Sequence, residues 1–246
     1  MPTPPLSIQT IVAPGASLPP VVLLHGFASS GHEDFAATGW PQALADAGRT
    51  SHVVDLPGHG ASPAVAAESA TTTAVVGTIV AAIDALGVDQ VDVVAYSLGA
   101  RLAWELPSAS GDRVRRMVLG GLSPLEPFAA VDVDALLLAT GAEAEAGATI
   151  DPLTGMMAGM VSAPGRDTAS LVALIAGLGS EPFSPQDGAP DVPTLFVAGS
   201  EDPMSGGIEQ LVAAVPGASI VRVPGDHRGA LDSAEFREAA VAYLAE

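Results

Sequence analysis

One serine lies where a buried strand is expected to turn directly into a helix. A valine-rich run leads into Ala95-Tyr96-Ser97-Leu98-Gly99, and a helix-compatible Ala/Leu stretch follows at once. A serine with small residues two positions before and after it is typical of a nucleophile elbow, because such residues let strand and helix approach closely. Ser97 is therefore the candidate nucleophile. The motif alone also fits an ordinary strand-to-helix turn, so the rest of the chain must decide.

An acid and a base follow the serine in the order that this turn requires. A serine nucleophile needs a base within hydrogen-bond reach and a carboxylate that holds the base in the right tautomer. His227 is the only histidine after Ser97, and Asp202 follows the preceding apolar run. We predict a triad of these three residues. Glu201 is a less favoured alternative to Asp202, and Asp226, next to His227, is more typical of a loop cap.

Two backbone amides are predicted to stabilise an oxyanion. In this arrangement one amide belongs to the residue after the nucleophile and the other to the loop after an earlier strand. These positions are Leu98 and Phe27, the latter within His25-Gly26-Phe27 directly after the run VVLLH. His25 precedes the glycine, so we predict that it anchors the loop and is not the base.

A tight loop is predicted from Asp55 to Ser62. Two glycines and one proline in eight residues indicate a rigid turn at the C-terminal end of a strand, where ligand sites of open α/β sheets gather. Asp55 and His59 precede Ser97 in the chain, which is the wrong order for the acid and the base. We predict that they have structural roles.

Apolar, β-branched runs recur at long intervals and are separated by Ala/Leu-rich segments of helical length. This alternation predicts an α/β fold, with a mostly parallel sheet of about seven strands and helices on both faces. The predicted strands are Ser7 to Val12, Val21 to His25, His52 to Leu56, Val91 to Tyr96, Val114 to Leu119, Thr194 to Ala198 and Ser219 to Val223. The predicted helices between them are Trp40 to Ala47, Thr71 to Leu86, Leu98 to Leu106, Ile208 to Val215 and Ala234 to Leu244.

One interval, from Gly121 to Pro193, contains no convincing strand. Short helices are predicted there over Asp132 to Ala139, Leu153 to Val161 and Thr168 to Leu178. We interpret them as a small cap over the strand ends. Asp132 and Asp134, within this interval, are distant alternatives for the acid.

Composition excludes several classes of function. The 28 Asp and Glu against nine basic residues, all arginine, give a net charge of −19. Such a charge repels phosphate backbones and anionic membranes, so we expect neither nucleic-acid nor membrane partners. The absence of cysteine excludes disulfides and thiolate metal sites, and the five histidines lack zinc-site spacing. Without a signal-like N-terminus or a long apolar stretch, we expect a cytoplasmic protein.

Five short motifs resemble the α/β-hydrolase superfamily when they are taken together. They are LLHGF, DLPGHGAS, AYSLGA, GSEDP and GDH, in this order and spacing along nearly the whole chain. The resemblance implies a triad of Ser97, Asp202 and His227 and an oxyanion hole formed by the amides of Phe27 and Leu98. It also implies that the enzyme uses no organic cofactor.

The resemblance further implies a division of the chain into a hydrolase core and a cap. The core would comprise residues 1–122 and 191–246, and the cap residues 123–190. The chain departs from the family pattern at Ala95 and at Ala100, where a third glycine often stands, and its short N-terminus is expected to lack a strand that the family has before the predicted strand Ser7 to Val12.

Carboxylic ester hydrolysis is the leading functional prediction. Serine at the elbow argues against dehalogenases and epoxide hydrolases of the family, which use aspartate there. The cap segment is rich in Met, Leu and Ala, including Met156, Met157 and Met160, which predicts a small to medium apolar ester or lactone as substrate. These methionines could equally be core filler. We expect a monomer or homodimer that acts on a small molecule.

Two other classes stay open at this stage. Arg101, just after the elbow, is similar to the arginine that binds an anionic substrate in the serine-triad lyase of menaquinone biosynthesis, although an ordinary surface or ion-pair role also fits it. Carbon–carbon bond hydrolases and cofactor-free peroxidases share the triad. Besides these other enzymes that use the triad, a non-catalytic binding protein of this fold also stays open.

Overall fold

A single seven-stranded sheet forms the centre of the computed structural model, which describes residues 5–141 and 150–246. Neighbouring strands run parallel, except that β1 is antiparallel to β3. The order across the sheet is β1-β3-β2-β4-β5-β6-β7. The strands are β1 (Ile8–Ile11), β2 (Val21–Leu24), β3 (Ser51–Val54), β4 (Val91–Tyr96), β5 (Val114–Gly120), β6 (Thr194–Gly199) and β7 (Ser219–Val223). The predicted fold class is confirmed.

Helices cover both faces of the sheet, as the continuous apolar character of β2 and β4 requires. Apolar side chains of α1 and α9 pack on one face, and those of α2, α3 and α7 pack on the other. The helices of the described residues are α1 (Trp40–Asp46), α2 (Thr72–Asp84), α3 (Leu98–Ser110), α4 (Val133–Thr140), α5 (Pro152–Val161), α6 (Thr168–Ser180), α7 (Glu209–Ala214), α8 (His227–Asp232) and α9 (Ala234–Leu244). Both core layers therefore support the strand ends that carry the candidate site.

The interval between β5 and β6 holds α4, α5 and α6 and, within its described part, no strand. The three predicted helices are present there, and Asp132 caps α4 by accepting the Ala135 N–H at 3.0 Å. Residues 142–149 of the predicted cap lie outside the described residues. Buried side chains of these helices, such as Leu136 and Ile175, belong to the same apolar cluster as α3. We call residues 123–190 the insertion.

None of the helices within residues 5–141 and 150–246 has both the length and the apolar character that crossing a membrane requires.

A buried cluster of charged side chains holds the C-terminal helix, α9, against the sheet. Asp92, at the start of β4, is fully buried and forms ion pairs with Arg49 and with Arg115, the latter at 2.6 Å. Both arginines also donate to the carbonyl oxygen of Leu244 at the end of α9, at 2.8 and 2.9 Å. One carboxylate therefore pairs with two guanidinium groups, and together they join α9, β5 and the segment after α1.

Asp92→Asn is expected to lower the free energy of unfolding by about 3–5 kcal/mol, because the buried Arg49 would lose its carboxylate partner and the partly exposed Arg115 would lose the same ion pair. Urea unfolding followed by circular dichroism measures the loss. Asp89→Asn, on an exposed residue three positions earlier, is the matched control. Equal unfolding midpoints for the two variants would contradict the structural role of this cluster.

Candidate active site

Ser97 lies at the turn between β4 and α3 in a backbone conformation that non-glycine residues rarely adopt. Its φ and ψ are 53° and −115°. The turn is possible because α3 begins very close to β2: a Cβ on Gly99 would come within 2.2 Å of the carbonyl oxygen of Leu24. Ala95, in place of the usual glycine, is accommodated as a fully buried residue of β4. The local geometry is that of a nucleophile elbow.

His227 and Asp202 complete a hydrogen-bonded chain with Ser97. His227 Nε2 lies 3.1 Å from Ser97 Oγ, and His227 Nδ1 lies 2.8 Å from Asp202 Oδ2. The second oxygen of the buried Asp202 carboxylate accepts the N–H of Met204 at 2.9 Å. The arrangement holds the imidazole with Nδ1 protonated and leaves Nε2 facing the serine hydroxyl.

The other acidic residues considered above, Asp55, Asp226 and the alternative acid Glu201, lie outside these hydrogen bonds. Asp226 caps α8 by accepting two backbone N–H groups of its first turn at 3.1 and 2.8 Å. Asp55 accepts the amides of Gly31 and Ala61, both at 2.8 Å, and so joins two loops. Glu201 is exposed. His227 itself is the first residue of the short helix α8, which we did not predict from the sequence.

The loop that carries Phe27 is fixed by the amides on either side of it. Gly26 N–H donates to Asp34 Oδ2 at 2.8 Å, and Ala28 N–H donates to His59 Nε2 at 3.1 Å. Ala28 has a φ of 50°, so the backbone reverses direction just after Phe27. The Phe27 amide is thereby held between two anchored neighbours beside the cavity that Ser97 faces.

The amide of Leu98 is held in the same manner on the other side of the serine. Ser97 N–H donates to the carbonyl of Gly120 at 2.9 Å, and Gly99 N–H donates to that of His25 at 3.0 Å. The structure thus brings both predicted oxyanion residues to the same cavity as Ser97. Two preorganised N–H groups beside a nucleophile can stabilise negative charge on a carbonyl oxygen.

Two uncharged histidines hold the Phe27 loop in place through hydrogen bonds. His25 Nδ1 donates to the carbonyl of Gly26 at 2.7 Å, and its Nε2 accepts the N–H of Leu56 at 2.9 Å. His59 Nδ1 donates to the carbonyl of Pro57 at 2.9 Å. Burial lowers the pKa of His25, and burial together with the neighbouring His25 lowers the pKa of His59 to about 3. Both rings therefore act as uncharged anchors.

Tyr96 braces the backbone of the histidine, a role that the sequence did not suggest. Its hydroxyl donates to the carbonyl oxygen of His227 at 2.5 Å. The tyrosine ring packs against two glycines at the end of β5, Gly120 and Gly121. A Cβ on Gly121 would come within 2.6 Å of this ring. The residue before Ser97 thus fixes the backbone position of His227.

A cavity of about 350 Å³ opens above Ser97 and His227, with walls that are mainly apolar. The methionines Met156, Met157 and Met160 of the insertion all line it. Met157 is 5% exposed, whereas Met156 is 51% exposed at the rim. Sequence reasoning missed the other apolar wall residues, which are Leu122, Leu125, Pro127, Phe128, Phe183, Met204 and Leu231.

Arg101 reaches the cavity wall, but its guanidinium is engaged in the protein. Nε pairs with Glu126 at 2.6 Å, one terminal nitrogen donates to Thr72 at 3.1 Å, and the other donates to the carbonyls of Leu178 and Glu181, both at 3.0 Å. Burial lowers the pKa of Arg101, and the Glu126 charge opposes this shift. The arginine therefore joins α3 to both ends of the insertion.

Among the described residues, no group of three or more His, Cys, Asp or Glu side chains is placed to hold a metal ion.

His59→Gln is expected to flatten the pH dependence of stability. Between pH 6.5 and about 3 the unfolded chain binds a proton at this position that the folded chain excludes, so stability falls as pH falls through that window. One such group contributes up to about 1.4 kcal/mol per pH unit. Urea unfolding at about pH 7 and about pH 5 measures the slope. His32→Gln, on an exposed histidine, should keep the wild-type slope, and an unchanged slope in His59→Gln would count against the buried neutral ring.

Comparison with known proteins gives a family and several solved structures of the same fold. The family model described as alpha/beta hydrolase fold matches residues 19–177. No curated protein matches the sequence significantly. The enol-lactonase from Burkholderia xenovorans LB400 is 20% identical, with 98% of this chain and 96% of that chain covered and a TM-score of 0.78.

Two further structures resemble the chain to a similar extent. The esterase from Exiguobacterium antarcticum is 21% identical over 98% of this chain and 96% of that chain, with a TM-score of 0.72. The bromoperoxidase from Bacillus anthracis is 18% identical over 98% and 95%, with a TM-score of 0.72. Identities this low establish a common fold and do not transfer an activity. The family model, in contrast, spans the larger part of the sequence, and the chain belongs to the alpha/beta hydrolase fold family.

Proposed function

We propose that this chain hydrolyses uncharged carboxylic esters or lactones by way of an acyl-enzyme on Ser97. The observation that carries the proposal is the hydrogen-bonded chain from Ser97 Oγ through His227 to Asp202, at 3.1 and 2.8 Å. Within that distance the base can take the hydroxyl proton as the oxygen attacks a carbonyl carbon. A complete chain of this kind supports catalysis over a binding role for the fold.

The reaction proceeds in two halves. Ser97 Oγ attacks the ester carbonyl while His227 Nε2 takes its proton, and the amides of Phe27 and Leu98 hold the resulting oxyanion. His227 then returns the proton to the leaving alcohol. In the second half His227 takes a proton from water, which attacks the acyl-enzyme, and returns that proton to Ser97 Oγ as the acid leaves. Asp202 keeps the imidazole oriented and stabilises its positive charge in both halves.

The charges around the cavity support an uncharged substrate. Asp34 pairs with Arg228 at 2.8 Å and Arg101 with Glu126 at 2.6 Å, so the charged groups of the described wall neutralise partners within the protein. Most of the remaining wall is built of aliphatic, aromatic and thioether side chains, beside Ser97, His227 and two further serines. Such a surface favours burial of an apolar acyl group.

The same pairing weighs against the lyase alternative. A lyase of an anionic substrate needs Arg101 to bind a carboxylate, and here a carboxylate of the protein already occupies that position. Displacing Glu126 would leave one of the two charges buried without a partner. Carbon–carbon bond hydrolysis and peroxidase chemistry use the same triad, and they serve as comparison reactions in the assays below.

Ser97→Ala is expected to lower kcat for p-nitrophenyl esters by on the order of 10⁵-fold, and Asp202→Asn by about 10⁴-fold. The first variant lacks the nucleophile, and the second no longer holds the required histidine tautomer. Ser200→Ala, on an exposed serine of the loop after β6, is the matched control and should keep wild-type turnover. Wild-type protein that turns over no ester, yet oxidises bromide or cleaves a β-diketone, would refute the proposal.

Met160→Trp is expected to shift the preferred acyl chain toward shorter esters. The indole would occupy part of the 350 Å³ cavity, so kcat/KM for long acyl chains should fall about 10-fold or more while that for acetate is retained. A chain-length series of p-nitrophenyl esters gives the profile. Leu138→Trp, 74% exposed on α4, provides a control of equal size on the same insertion. Identical profiles for the two variants would place the acyl group elsewhere.

The cytoplasmic location and the oligomeric state, monomer or homodimer, stay predictions.

A further inference from the structure

We propose that Asp34 and Arg228 form a positioning pair that couples the oxyanion loop to the helix of the catalytic histidine. The inference rests on the proposed function, because it concerns the geometry of the same reaction. Neither residue belongs to the predicted triad or supplies an oxyanion amide. Their contacts nevertheless connect the two groups that must act together on a substrate carbonyl.

Asp34 is placed as an acceptor for three different donors. It lies in a π-helical turn, His32–Ala36, and is 2% exposed. Oδ2 accepts the Gly26 N–H at 2.8 Å, and Oδ1 accepts the Ser29 hydroxyl at 2.6 Å and Arg228 Nη1 at 2.8 Å. A buried carboxylate that makes charge-assisted hydrogen bonds of this length fixes its partners firmly. The N–H that Oδ2 holds belongs to Gly26, the residue directly before Phe27.

Arg228 brings the histidine side into the same network. It follows His227 in the first turn of α8, and its guanidinium also donates to Asp232 at 3.0 Å and to the carbonyl of Glu33 at 3.2 Å. The side chain is thus held between its own helix and the π-helical turn. Any shift of α8 relative to the Phe27 loop would break the bond to Asp34.

The charges of the pair matter because the carboxylate lies close to the nucleophile. A Cβ on Gly26 would lie 3.4 Å from Asp34 Oδ2 and 3.5 Å from Ser97 Cβ, so only this glycine separates the two side chains. An unpaired carboxylate there would oppose the negative charge that forms on the substrate carbonyl. Arg228, whose guanidinium also pairs with Asp232, offsets that charge, so the pair can orient the loop with less opposition to the oxyanion.

The test compares kcat, KM and transition-state affinity in variants of the pair. Arg228→Gln should lower kcat for the preferred p-nitrophenyl ester by about 10- to 100-fold, with KM changed less than about 3-fold, because the pair acts on the transition state. Arg228→Lys should recover most of kcat. Arg222→Gln, which removes a surface pair with Glu209, is the matched control and should resemble wild type.

A second readout separates positioning from a merely structural role. The affinity of an alkyl trifluoromethyl ketone, which forms a tetrahedral oxyanion on the serine, should fall in proportion to kcat/KM across the variants. The double variant Asp34→Asn/Arg228→Gln should lose little more than the worse single variant, since both act through one interaction. Arg228→Gln lies on a half-exposed side chain, so it keeps the test decisive if Asp34→Asn folds poorly.

Failure of the proposed function and failure of the positioning pair would give different experimental results. Wild-type protein without Ser97-dependent ester turnover would overturn the proposed function itself. Normal wild-type turnover together with an unchanged kcat and ketone affinity in folded Arg228→Gln, or strictly additive losses in the double variant, would overturn the positioning pair alone.

Discussion

The close approach of α3 to β2 is the constraint on which the whole site depends. Gly99 lies against the backbone of Leu24 with no room for a side chain, and its N–H bonds the carbonyl of His25. The turn at Ser97 and the turn after Phe27 therefore both depend on this contact of Gly99 with the end of β2. Ser97 and Ala28 are the two non-glycine residues with positive φ in the described chain, so backbone strain is concentrated at this point. The buried sheet holds it in place.

The parallel sheet then brings the remaining groups to the same edge. Phe27, Ser97, Asp202 and His227 follow β2, β4, β6 and β7, respectively, and the carboxyl ends of these strands face one cavity. Separate loops of this kind keep their side chains at fixed relative positions only if direct interactions connect the loops. Buried polar side chains provide these interactions here, and most of them come from segments that carry no predicted catalytic residue. Their hydrogen bonds make four independent loops behave as one rigid site.

Much of this arrangement could be predicted from the sequence, because it depends on local patterns and on chain order. Apolar runs identified all seven strands, and the order of serine, acid and histidine singled out Ser97, Asp202 and His227. Asp34 and Tyr96 escaped prediction because their partners lie far along the chain and only the folded sheet brings them together. The start of α8 at His227 was missed because its six residues are too few for a periodic pattern.

The buried pair of Arg101 and Glu126 has a consequence for how a substrate reaches the serine. Glu126 also accepts the N–H groups of Phe128 and Phe183, so both ends of the insertion are fastened to α3. These contacts oppose a swing of the insertion as a body. We therefore expect access to the cavity to depend on rotamer changes of flexible rim side chains such as Met156. Such changes are far faster than domain opening.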